Sequence, residues 1–93
     1  MIAGFKDAET EKIWLGKRSR RIPANLHVSA LKKLYMVAAA ARLEDLKVPP
    51  GNRLESLRGD RKGQHSVRIN DQYRVCFVWR DGNAHDVEIT DYH

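Results

Sequence analysis

The feature that most constrains this chain is a change of hydrophobic period half-way along it. In the second half, YRVCFVW carries large apolar side chains at every other position, namely Tyr73, Val75, Phe77 and Trp79. This alternation is typical of a strand with one buried face. A DGN turn at residues 81–83 follows, and Val87 and Ile89 then alternate again. Two strands joined by so short a turn must be antiparallel neighbours, so the sequence predicts a C-terminal hairpin.

Two shorter strands are predicted before the hairpin. One is flanked by Leu54 and Leu57 and ends at the GDRKG turn, residues 59–63, and the other is the alternating HSVRIN, residues 65–70. The first half reads differently. IAGF at residues 2–5 predicts a short first strand, and Asp7 and Gly16 predict the cap and the end of a first helix.

A second helix is predicted to begin near Pro23, and VPPGN at residues 48–52 ends the helical half. Its apolar positions recur at steps of three and four, at Leu31, Leu34, Tyr35, Ala38 and Ala41. The predicted fold is therefore α+β in the order β-α-α-β-β-β-β, with two N-terminal helices packed on one face of a twisted antiparallel sheet. The 93 residues are expected to form one domain, residues 1–93.

Charge points to a polyanionic partner. The chain has 17 Lys and Arg against 12 Asp and Glu, a formal net charge of +5, which favours nucleic acid. KRSRR at residues 17–21 is one dense cationic segment. A second holds Arg53, Arg58, Arg61, Lys62, Arg68 and Arg74 against Glu55, Asp60 and Asp71. Both segments suit contact with phosphates.

Other classes of protein are disfavoured. No run approaches the roughly 18 apolar residues of a membrane span, so no membrane partner is expected. The N-terminus lacks the layout of a secretory signal, which predicts a cytoplasmic protein. Cys76 lies in an apolar strand pattern and is predicted to be buried and inert. The four histidines are scattered, so no metal site is expected.

The remaining titratable groups suit RNA cleavage without a metal. That reaction needs a base for the 2′-hydroxyl, an acid for the leaving oxygen, and cations for the charge that builds on phosphorus. The chain ends in EITDYH, and His93 is the best candidate for the general acid or base, because imidazole changes charge near neutral pH. Arginine suits the phosphate because its planar fork donates two parallel hydrogen bonds.

The segment PPGNRLESLRGDRKGQHSVRINDQYRVCFVW, followed at the end by VEITDYH, resembles the HigB branch of the RelE/ParE toxin superfamily. The resemblance extends over nearly the whole chain. It implies a toxin of a type II toxin–antitoxin system that cuts messenger RNA on the ribosome and uses no metal or cofactor. It also implies a cognate helix-turn-helix antitoxin (HigA-like), with the toxin–antitoxin complex binding operator DNA through the antitoxin.

The resemblance also suggests roles for particular residues. Tyr92 is expected from it to stack on a base or donate a proton. Asp91 is a further candidate, either to orient an imidazole or to contact the RNA. Strict alternation places Tyr92 on the face opposite to Asp91 and His93, so a strand end or twist must bring the three together. Arg58 matches a catalytic cation. The predicted RNA-binding residues are Arg74, Arg68, Arg61, Lys62 and Arg53.

Three alternatives stay open for these cations and for Glu55. Relatives carry a histidine where this chain has Glu55; a carboxylate serves as a base only if Arg53 or Arg58 offsets its repulsion of the phosphate. Arg74 is interpreted either as a phosphate contact or as an ion pair that stabilises the sheet. KRSRR is interpreted either as a contact with ribosomal RNA or as a solvated loop that an antitoxin covers.

Two other functions compete with the endonuclease. One is ParE-like inhibition of DNA gyrase, which needs no RNA chemistry and is separated by a supercoiling assay. The other is a non-catalytic basic module that binds nucleic acid. It predicts that Tyr92 and His93 are replaceable, whereas charge reversal in KRSRR abolishes binding.

Overall fold

The computed structural model describes residues 1–91. Helix α1 spans Ala8–Trp14, and the Asp7 carboxylate caps it by accepting the N–H of Thr10 at 3.2 Å. Acidic Glu9 and Glu11 lie in its first turn, where the helix dipole favours negative charge. The helix ends before Gly16, which takes the left-handed conformation (φ +75°) that glycine adopts without steric cost. The predicted cap and stop of this helix are confirmed.

Helix α2 spans His27–Ala39 and follows a single 3-10 turn, Ala24–Leu26, that begins after Pro23. Its buried face differs from the predicted one. The fully buried positions are Ala30, Leu34 and Val37, whereas Tyr35 is 56% exposed. A small Ala30 lets the helix backbone approach its neighbours closely, and the large Tyr35 ring instead packs edge-on against Trp14 with centroids 5.4 Å apart.

The sheet has four strands in the spatial order β1-β2-β3-β4, all antiparallel. Their bounds are β1 Glu55–Ser56, β2 His65–Arg68, β3 Tyr73–Arg80 and β4 Asn83–Asp91. Short 3-10 turns at Leu43–Lys47, Pro50–Asn52 and Gly59–Arg61 connect α2, β1 and β2. Asp81 and Gly82 both have positive φ, the geometry that two-residue hairpin turns require. The C-terminal hairpin is confirmed.

The N-terminal segment departs from the predicted strand. It forms two isolated parallel bridges to β4, Ile2 with Ala84 and Phe5 with Val87. Hydrogen bonds such as Ala3 N–H to the Ala84 carbonyl at 2.7 Å hold it there. The bridges lie three residues apart, which does not match the period of two that a pleated strand needs. The segment still covers the edge of β4.

The core lies between the helices and one face of the sheet. Val67, Val75, Phe77, Val87 and Ile89 are fully buried there and form one hydrophobic cluster with Ile22, Leu34, Val37 and Leu46. Because side chains alternate along a strand, the residues between them point away from the helices. We call this side, which carries Glu55, Ser66, Arg74, Cys76 and Glu88, the outer face. None of the helices within residues 1–91 is long and apolar enough to cross a membrane.

Candidate functional site

A row of four residues crosses the outer face. The strand register places Glu55 opposite Ser66, Ser66 opposite Cys76, and Cys76 opposite Glu88. Residues directly opposite each other share a face and lie within side-chain reach. Ser66 and Cys76 are fully buried in the middle of the row, so the two carboxylates stand at its ends.

Arg74 is anchored over this row. Its side chain is only 12% exposed. The Nε donates to the Ser66 hydroxyl at 2.8 Å and Nη2 donates to the Arg53 carbonyl at 2.6 Å, while Nη1 lies 3.8 Å from the Glu55 carboxylate. Three contacts therefore fix the plane of the guanidinium. A fork held in this way is preorganised to receive an anion with little loss of conformational freedom.

The position of the Arg53 carbonyl results from an unusual backbone conformation. Arg53 has φ +44° and ψ +57°, the left-handed region, which costs a residue other than glycine about 1–2 kcal/mol. The neighbouring Asn52 is fully buried. Its amide nitrogen donates to the carbonyls of Leu46 and Val48 at 3.2 and 3.4 Å. These bonds tie the loop down just before Arg53.

Helix α2 supports the same loop through Lys33. The Lys33 ammonium donates to the Asn52 side-chain oxygen at 2.6 Å. Partial burial lowers the pKa of Lys33, and the nearby charges of Lys32 and Arg68 lower it further. A chain of contacts thus runs from α2 through Asn52 and the Arg53 carbonyl to the Arg74 guanidinium.

The other end of the row is a second ion pair. Arg61 Nη1 donates to the Glu88 carboxylate at 2.9 Å and to the Gln64 side-chain oxygen at 3.1 Å. The Lys6 ammonium lies 3.9 Å from the other Glu88 oxygen. Cys76 lies opposite Glu88 in the strand register, and burial raises the pKa of its thiol. The prediction that Cys76 is buried is confirmed.

The other predicted site residues are placed less centrally. Arg68 lies opposite Arg74 and pairs with Asp71. Asp91 lies opposite Tyr73, on the helix side of the sheet, and accepts from the Gln72 amide at 2.9 Å. Within residues 1–91, no hydrogen bond or ion pair engages the exposed side chains of Arg53, Arg58 and Lys62. Tyr92 and His93 lie outside the described residues.

The structure thus brings Glu55 and Arg74 together and places Arg61 on the same face, while Asp91 belongs to the opposite one. No group of three or more His, Cys, Asp or Glu side chains within the described range is arranged to hold a metal ion.

Comparison with known proteins identifies the family. The family model described as a RelE-like toxin of the type II toxin–antitoxin system HigB matches residues 3–93. The chain belongs to the HigB-like toxin family. Toxin HigB-1 of Vibrio cholerae serotype O1 is 44% identical over 85 residues, which cover 90% of each chain. An uncharacterized protein of Haemophilus influenzae is 32% identical over 72 residues, covering 77% of this chain and 71% of its own.

Solved structures agree on the fold of this HigB-like toxin. A chain of the YoeB-YefM complex from Staphylococcus aureus superposes with a TM-score of 0.61 at 14% identity, covering 100% of this chain and 98% of its own. A point mutant of YafQ from E. coli gives a TM-score of 0.56 at 13% identity, covering 98% and 93%. The chain is therefore a toxin of a type II toxin–antitoxin system with the RelE-like fold.

Sequence reasoning missed the residues that hold the HigB-like site in place. Ser66 and Glu88 become visible once the strand register is known, because they fall opposite Cys76. Asn52 had no such signal, because its place in VPPGN marked it only as a turn residue.

Proposed function

We propose that this HigB-like toxin is a metal-independent endoribonuclease that cleaves messenger RNA on the ribosome. The observation that carries the proposal is Arg74, whose guanidinium is fixed by Ser66 and the Arg53 carbonyl beside the Glu55 carboxylate. Anchored cations beside a carboxylate are what phosphate chemistry without a metal needs. Family membership supports the same class of activity.

The proposed reaction is attack of the 2′-hydroxyl on the adjacent phosphate. The bond from the 2′ oxygen to phosphorus forms and the bond from phosphorus to the 5′ oxygen breaks. A base takes the 2′ proton and an acid delivers a proton to the 5′ oxygen. The products are a 2′,3′-cyclic phosphate and a 5′-hydroxyl, so no other reactant is consumed.

Arg74 and Arg58 are the proposed catalytic cations. Arg74 stabilises negative charge on the phosphoryl oxygens, and the exposed Arg58, two residues after β1, adds a second positive charge. Glu55 is 51% exposed and is a candidate base; Arg74 at 3.8 Å offsets its repulsion of the phosphate. His93 is the proposed general acid or base and Tyr92 its proposed neighbour. Asp91 lies on the opposite face of the sheet from Arg74 and is proposed only to orient the imidazole.

RNA contacts are assigned to the cations around this centre. Arg53 and Lys62 are exposed, and Arg61, in the turn before β2, and Arg68, in β2, are partly exposed. Contacts of this kind follow the sugar-phosphate backbone without reading its sequence, and salt weakens them.

The proposed partners are the ribosome with its message and a helix-turn-helix antitoxin. The antitoxin holds the toxin inactive and carries the complex to operator DNA. The occurrence of a structural neighbour in a toxin–antitoxin complex supports an antitoxin partner. Translating ribosomes place the proposed activity in the cytoplasm.

A translation extract programmed with one defined message tests the proposal. The purified toxin is expected to cut the message inside the reading frame and to leave 2′,3′-cyclic phosphate ends. His93→Gln is expected to abolish cutting, whereas Arg80→Ala, which removes an exposed arginine at the far end of the hairpin, is the matched control. If protein synthesis stops while the message remains intact, the proposal is wrong. A supercoiling assay with DNA gyrase then tests the ParE-like alternative.

A further inference from the structure

The cationic segment KRSRR, residues 17–21, plays no part in the outer-face site. We propose that the loop at residues 16–22, which we call the basic loop, is a preformed docking surface for the sugar-phosphate backbone of structured RNA. The surface is built by α1, the loop and the start of α2, and is separate from the outer face. The inference rests on the proposed function only for the identity of that RNA, the ribosome's own.

The basic loop is held in one conformation by Glu9. The Glu9 carboxylate accepts from the Ser19 hydroxyl at 2.9 Å and from the Arg20 N–H at 3.2 Å. The buried Ser19 hydroxyl in turn accepts the N–H of Ile22 at 3.2 Å, and Ile22 belongs to the core. Hydrogen bonds from Lys12 and Ser19 lower the pKa of Glu9 to about 2, so it remains ionised at physiological pH.

One arginine of the loop serves the fold. Arg21 Nη1 donates to the Ile89 carbonyl of β4 at 2.8 Å, and Nη2 pairs with the Asp7 carboxylate. Asp7 and Glu9 are thus both engaged inside the protein. An arginine that closes the edge of β4 in this way anchors the loop to the sheet.

The other three cations of the loop project outward. Lys17, Arg18 and Arg20 are exposed, and within the described part of the chain no hydrogen bond or ion pair engages their side chains. No contact with the described residues therefore compensates their charge. The backbone that carries them is already held by the hydrogen bonds to Glu9 and Ser19. An ordered cationic loop loses little conformational freedom when it binds.

Arg18 and Arg20 border an open depression of about 390 Å³, whose lining is completed by Lys12, Ser19, Ala24 and His27. Among residues 1–91, no carboxylate contributes to this lining. The His27 Nε2 lies 2.8 Å from the Ile22 carbonyl, and because a carbonyl only accepts, this nitrogen carries a proton. The ring is thereby held at the wall of the depression.

Phosphate fits this surface better than an acidic protein segment does. Lys17, Arg18 and Arg20 are separated in the chain only by Ser19, so the loop offers cations without an apolar side chain between them. Arginine forks bind phosphate oxygens in pairs. An apolar patch does adjoin the depression, where Val28 is 82% exposed beside Ile13 and Leu31. An amphipathic segment of the antitoxin is therefore the occupant that the test must exclude.

Fluorescence anisotropy with a labelled RNA duplex of about 16 base pairs measures the contact without requiring cleavage. The double variant Arg18→Gln/Arg20→Gln is expected to bind at least about tenfold more weakly. The slope of log Kd against log salt should fall by about 2, since each lost phosphate contact removes about one unit. The matched control is Arg42→Gln/Arg80→Gln, which removes the same charge from exposed positions outside the loop.

Arg18→Lys/Arg20→Lys keeps the charge but not the paired hydrogen bonds, so it is expected to preserve the salt slope and to bind with an affinity between those of the wild type and the Gln variant. Thermal melting of all variants checks that they fold. Equal weakening in loop and control variants, or an unchanged salt slope, overturns the inference. So does loss of antitoxin binding with RNA binding intact, which assigns the loop to the antitoxin. RNA binding through the loop without any cutting of message overturns the endonuclease proposal and leaves the docking surface in place.

Discussion

The arginines of the outer face and the cations of the basic loop are the same kinds of residue in opposite circumstances. On the outer face, Arg61, Arg68 and Arg74 each contact a carboxylate of the chain itself, Glu88, Asp71 and Glu55 respectively. In the loop, Arg21 alone does so within residues 1–91, and Lys17, Arg18 and Arg20 point into solvent. Among these residues, contact with a carboxylate of the chain itself therefore separates the three arginines of the outer face from the projecting cations of the loop.

This difference predicts different consequences of mutation. An anchored arginine has one orientation and suits catalysis. A projecting cation samples many orientations and suits long-range electrostatic attraction. Loss of an anchored arginine should lower the rate of a step, and loss of projecting cations should weaken binding and its salt dependence.

Arg74→Ala is expected to have the largest effect. Removing one preorganised donor to a developing oxyanion slows reactions by about 100- to 1,000-fold, and this fall is expected in the cleavage rate on programmed ribosomes. Arg74→Lys should not restore the rate, because the compact lysine ammonium lacks the planar fork that contacts Ser66 and the Arg53 carbonyl at the same time. A variant that cleaves within about threefold of the wild type would show Arg74 to be only a structural ion pair.

Asn52→Ala tests how the anchoring is built. It leaves the Lys33 ammonium and two backbone carbonyls without their partner, which costs about 1–3 kcal/mol in the free energy of unfolding. Denaturant unfolding measures this, with the exposed Asn25→Ala as the matched control. The cleavage rate should fall as well, because the Arg53 carbonyl then no longer fixes Arg74. An unchanged rate in a destabilised protein contradicts the link between Asn52 and the site.

Glu9→Gln tests the same contrast from the side of the loop. The pKa of Glu9 is lowered from 4.5 to about 2 in the folded protein. A carboxyl whose pKa is lower in the folded protein stabilises the fold at pH values above its unfolded pKa. This stabilisation is lost as the pH falls from 4.5 towards 2. The wild type should therefore melt at a higher temperature than Glu9→Gln at pH 6, and the gap should shrink over that range. A gap that does not change with pH excludes the Glu9 carboxylate as the anchor of the loop.

Lys62→Gln should have the smallest effect. Lys62 is exposed, and in residues 1–91 nothing engages its side chain, so one screened contact with phosphate is at stake. Binding of the RNA duplex should weaken by about twofold or threefold, with a salt slope lower by about 1. A loss as large as that of the double loop variant would move the docking surface to the β1–β2 turn.

Much of the fold could be predicted because local signals agreed with it. Asp7 and Gly16 bound α1, and the alternation of Val75 and Phe77 fixed the buried face of β3. The buried face of α2 was mispredicted because an aromatic ring looks more apolar than an alanine. Ala30 is fully buried because its small side chain permits close packing of the helix, whereas Tyr35 is largely exposed.

The site was less predictable because it depends on contacts between distant segments. Glu55 and Arg74 were both identified as candidates, but their proximity follows from the register of β1 on β2. The left-handed Arg53 and the buried Asn52 could not be predicted, since nothing in a PPGN turn reveals which carbonyl will face a strand arginine.

The central claim is that the outer face performs the chemistry and the basic loop holds the RNA. Single-turnover cleavage of a defined message on purified ribosomes, measured across toxin concentrations, tests it directly. Arg74→Ala should lower the maximal rate with little change in the half-saturating concentration, and Arg18→Gln/Arg20→Gln should mainly raise the half-saturating concentration. If both variants change the same parameter by similar factors, the two regions are one surface and the division is wrong.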